Sequence, residues 1–102
     1  PRQVAYLTEG RRESNEGETS QLANPLAMTL SSLFDGDLHG ANRLPVPLTG
    51  KGGGSLKTGR ILDYLQAGDE NRKVCSLHLS LMDRMGLKLD RFGDATTRLA
   101  DL

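Results

Sequence analysis

From Phe34 to Gly54 the chain reads FDGDLHGANRLPVPLTGKGGG, with Asp35, Asp37 and His39 at alternate positions. In an extended segment alternate side chains project to one side. Two carboxylates and an imidazole on one side suit zinc, manganese or another divalent cation. The same residues also suit a polar loop, in which the Asp side chains serve turns and His39 hydrogen-bonds a neighbouring loop. A calcium loop of the EF-hand type does not fit. His39 would stand at its fifth position and Val46 at its twelfth, where a bidentate Glu is required, and no helix follows.

The glycine run, Gly50 to Gly54, fails the phosphate-loop pattern. The position five residues before its Gly-Lys pair is Pro45, and Gly52 stands where Ser or Thr should follow the lysine. The dinucleotide pattern G-x-G-x-x-G fails too, because its third glycine falls on Ser55 or Lys57. The run therefore reads as a turn that uses positive φ. Lys51, Lys57 and Arg60 would place cations near an anionic ligand, or stand solvated on a loop. Farther on, His78 lies on an apolar helical stripe and reads as packed. Cys75 sits near a helix start, where a dipole lowers a thiol pKa, but it has no adjacent base and reads as a small core-facing residue. Ser31 and Ser32 end an expected strand without the G-x-S-x-G turn of a nucleophile elbow.

The elements that must carry these residues follow from periodicity. Residues 8–21 contain no apolar side chain and read as an exposed loop or a frayed helix end. Leu26 to Ser32 alternates Leu26, Met28 and Leu30 with small residues, the pattern of a strand covered on both sides. Leu44 to Thr49 reads as a second strand. Pro45 and Pro47 share a parity there, so their missing N–H groups point to one edge, which cannot be fully paired. Gly59 to Leu65 reads as a third short strand. Val74, Leu77, His78, Leu81, Met82 and Met85 then recur on one helical face. Asp69 or Asn71 is placed to cap that helix, and Gly86 to end it.

Leu, Ile, Val and Phe make up 24 of the 102 residues, above the level of disordered chains, and the 13 basic and 13 acidic residues balance. That balance, with no basic stripe, speaks against a nucleic-acid surface. No apolar run approaches a membrane span. One cysteine cannot form an internal disulfide. Three short strands and one helix leave a sheet face bare, so these residues read as part of a larger α/β sheet.

The stretches SSLFDGDLHGANRLPVPLTGKGGGSLKTGRILDY and CSLHLSLMDRMGLKLDRFGDA resemble the C-terminal end of the bacterial secreted proteins named for an HxxSHH motif. The resemblance covers about 70 residues, with LKTGR and DRFGD its most specific pieces. The naming motif itself is absent. Pro47, Thr49 and residues 21–25 depart from the family pattern. That family is similar to the alkaline phosphatase and sulfatase-like superfamily, whose members bind divalent metals through Asp and His at strand ends.

The resemblance implies an α/β fold: the C-terminal part of an alkaline-phosphatase-like sheet sandwiched by helices. Residues 1–25 would form a flexible polar lead and residues 26–102 the end of one domain. It further implies a metal role for His39, with Asp37 and Asp35 beside it, zinc or a similar ion as cofactor, and an extracytoplasmic parent. The partner would be the upstream part of the same protein. Two functions follow: a metal-dependent hydrolase of phosphate or sulfate esters, with this segment inactive by itself, or a non-catalytic binding or structural module on the same fold.

Overall fold

The computed structural model describes residues 2–33, 37–40 and 42–102. The chain is mixed α/β and divides into two compact units, Pro1–Thr58 and Gly59–Leu102. The first unit contains helix α1 (Arg2–Glu13), a hairpin of β1 (Asn15–Glu16) and β2 (Thr19–Ser20), and an antiparallel ribbon of β3 (Ala27–Met28) and β4 (Leu48–Thr49). The second contains a short 3-10 turn (Asp69–Asn71) and helix α2 (Val74–Arg84). Among the described residues no helix is long and apolar enough to cross a membrane.

Residues 8–13, within the stretch read as an exposed loop or a frayed helix end, form the last part of helix α1. Its Ala, Leu, Gln, Glu and Arg residues favour helix intrinsically, the Glu9–Arg12 ion pair adds local support, and the Thr8 hydroxyl donates back to the Val4 carbonyl. None of its residues is buried, and Tyr6 is 85% exposed, so this helix contributes nothing to a core.

The β3–β4 ribbon shows what the prolines do. Ala27 faces Thr49 and Met28 faces Leu48. The Thr29 amide donates to the Pro47 carbonyl at 2.9 Å, which makes Thr29 and Pro47 a hydrogen-bonded pair. Bonded and non-bonded pairs alternate in an antiparallel ladder, so Pro45 and Pro47 aim their missing donors inward, at β3. Pro47 cannot return the bond to Thr29, and Pro45 has none to offer Ser31. The two expected strands therefore shrink to two residues each.

Next to the ribbon the glycine run folds as a single left-handed turn, with φ of 53°, 65° and 83° at Gly52, Gly53 and Gly54. Only glycine strings such values together cheaply. Gly50 is buried at φ 103°, and a Cβ there would lie 2.3 Å from the Pro25 carbonyl oxygen. This close approach locks the turn onto residues 22–25.

In the second unit the expected third strand does not form. Gly59 to Leu65 is irregular and Ile61 is 95% exposed. Helix α2 begins at Val74 with Lys73 as its N-cap and no side-chain cap bond, so neither Asp69 nor Asn71 caps it. Asp69 instead pairs with Arg72, and the Asn71 side-chain amide donates to the Ala67 carbonyl. The end matches expectation: Gly86 takes φ 84°, its amide donates to the Asp83 carbonyl, and the Leu87 amide donates to the Met82 carbonyl. That pair of bonds is the Schellman arrangement.

The buried face of α2 is only partly the expected stripe. Ser76, Leu77, Leu79, Ser80 and Leu81 are buried, whereas Val74 is exposed and Met85 is 74% exposed. With Ala95 from the tail, Leu77, Leu79 and Leu81 are the buried apolar side chains among the described residues. The tail, residues 87–102, produces this shift by wrapping the serine side of the helix. The Ser80 hydroxyl donates to the Ser76 carbonyl and accepts the Leu99 amide, both at 2.9 Å. Ser80 thus serves the tail as an acceptor for a loop amide, while the Ser76 hydroxyl beside it is buried without a hydrogen-bond partner.

Candidate functional site

The acidic-histidine loop is a turn at Asp37–His39, and His39 sits at φ 51°, in the left-handed region. Asp37 and His39 are both exposed. The extended backbone that would align alternate side chains is therefore absent between them; Asp35 lies outside the described residues. Among the described residues no three His, Cys, Asp or Glu side chains converge on one point.

The glycine turn is spent internally. The amides of Lys51, Gly52 and Gly53 donate to the carbonyls of Leu22, Pro25 and Ala23. The amides of Gly54, Ser55 and Leu56 donate to carbonyls within the turn itself. A phosphate cradle needs such N–H groups free to face an anion, so this turn is a structural lock, as its failed motifs indicate. Lys51 and Lys57 are exposed in the same unit. Arg60 belongs to the second unit, where its guanidinium donates to the Asp101 and Leu102 carbonyls at 2.5 and 2.7 Å. The three cations expected at one anion site thus include one committed to the tail.

The tail is held by polar contacts that periodicity could not reveal. The Tyr64 hydroxyl donates to the Ala100 carbonyl at 2.5 Å, and burial, followed by the nearby Asp101 charge, raises its pKa. At the start of α2, Lys73 donates to the Glu70 carboxylate at 2.9 Å and to the Asp94 carbonyl at 2.7 Å. The bond to Glu70 raises the Lys73 pKa. Near the helix end Arg98 grips Asp83 with two bonds, at 2.8 and 3.0 Å, and also reaches the Leu89 carbonyl. Apart from Glu70 and Lys73, which are three positions apart, these partners lie 9 to 36 positions apart in the chain, so spacing carries no signal of them. The signal the sequence does carry is Ser76 and Ser80, one helical turn apart and off the apolar stripe.

The Asp83–Arg98 clamp has a pH signature. The bonds from Arg98 hold the Asp83 carboxyl below its ordinary 3.8. A carboxylate depressed in the folded state contributes stability that is complete above its unfolded value and disappears as pH falls through its folded value. Melting temperatures of wild type and Asp83→Asn are therefore expected to differ most at neutral pH and to converge below about pH 4. A gap that stays constant across that range removes the clamp as an electrostatic contributor.

The remaining candidates are packing residues or surface. The His78 ring is tilted against Phe92 with centroids 5.7 Å apart, and it is half-buried. Cys75 is half-buried, with its sulfur so close to Gly93 that a Cβ there would come within 2.7 Å. The Ser31 hydroxyl accepts the Leu33 amide at the surface. No family model, characterised protein or solved structure matches the chain.

Proposed function

We propose that this chain is the C-terminal part of a larger α/β protein resembling the HxxSHH family, with an alkaline-phosphatase-like fold and an extracytoplasmic address. In that protein it acts as a non-catalytic binding and structural module, and its partner is the upstream part of the same protein. The observation that supports this reading is the balance of covered and bare surface. Among the described residues ten large apolar side chains are exposed, with Tyr6 at 85%, Leu38 at 77% and Ile61 at 95%. The buried apolar side chains among the described residues all lie in the second unit, so among those residues the first unit buries no apolar side chain.

A second reading has one observation behind it: Asp37 and His39 stand exposed on the same turn. Carboxylate and imidazole are the donor types a zinc-like ion takes, so the residues fit as part of a ligand set, not as a whole one. His39, with Asp37 and Asp35, would hold the ion. Bound there, it would stabilise charge on a transferring phosphoryl or sulfuryl group and activate a nucleophile.

The module reading predicts that the folded chain takes up a hydrophobic dye in native buffer and hydrolyses neither an aryl phosphate nor an aryl sulfate, with or without zinc. Absence of dye uptake, or turnover by the chain alone, refutes it. Calorimetric zinc titration of wild type against His39→Ala tests the second reading; identical isotherms discard His39 as a ligand.

A further inference from the structure

We draw no further inference here: the strongest candidate, the outward edge of β3 at Leu26, Met28 and Leu30, whose amides and carbonyls have no partner among the described residues, is an open strand edge, and nothing in the structure shows what covers it.

Discussion

Replacing Leu79 by alanine is expected to unfold residues 59–102. Leu79 is 0% exposed and is the largest fully buried side chain among the described residues. Truncating a buried leucine to alanine costs about 2–5 kcal/mol through lost transfer energy and the cavity left behind. A unit of this length has a total stability of only roughly 2–6 kcal/mol. With Leu77, Leu81 and Ala95 as its remaining buried apolar partners, the unit has little left to close the gap. The helical circular-dichroism signal of α2 and the exchange protection of its amides should disappear together. Met85→Ala is the control: Met85 lies on the expected stripe yet is exposed, so its loss should fall within about 0.5 kcal/mol. A folded Leu79→Ala chain with a near-wild-type transition, or a severe effect at Met85, would show that the buried face is the apolar stripe after all.

The second large effect belongs to Gly50. An alanine there meets the Pro25 carbonyl oxygen at 2.3 Å with the backbone at φ 103°. The obstructing atom is backbone and the added Cβ has no rotamer, so no side-chain rotation relieves the clash. The expected cost is about 3 kcal/mol or more, read as loss of exchange protection at the Lys51, Gly52 and Gly53 amides that dock on residues 22–25. Gly53 offers the contrast. It sits at φ 65°, and a methyl added there would have nothing within 4 Å, so alanine carries only the left-handed penalty of about 1–2 kcal/mol. Equal effects at the two glycines would show that close approach to Pro25 is not what holds the turn.

These two residues mark the reach of the sequence. The glycine turn is legible because failed motifs and a run of permissive residues leave positive φ as the remaining use, and the φ values agree. Helix α2 and its Gly86 terminus are legible because both are local: a 3.6-residue period and one left-handed position. The proline parity is legible as an unpaired edge, though not which edge; only the Thr29–Pro47 bond shows that the prolines face inward. The α1 helix escapes a search for core-forming residues, because it rests on intrinsic propensity and local bonds and buries nothing.

For the candidate site, the chemistry of Asp37 and His39 is written in their types, and their placement on a turn is not. Alternation aligns side chains only on extended backbone, and the left-handed φ of His39 ends that alignment. Arg60 reads as a loop cation by its charge; its guanidinium is bound to tail carbonyls some forty positions away.

By itself the sequence determined the neutral charge balance, the helix and its end, the turn at the glycines and the scarcity of apolar cover, because each depends on residue type or on neighbours within a few positions. Tertiary structure alone decided which side of α2 is interior, which edge of the ribbon is open and which charges clamp the tail. Those outcomes depend on contacts between residues far apart in the chain, where no periodicity operates, as with the Leu99 amide that Ser80 accepts.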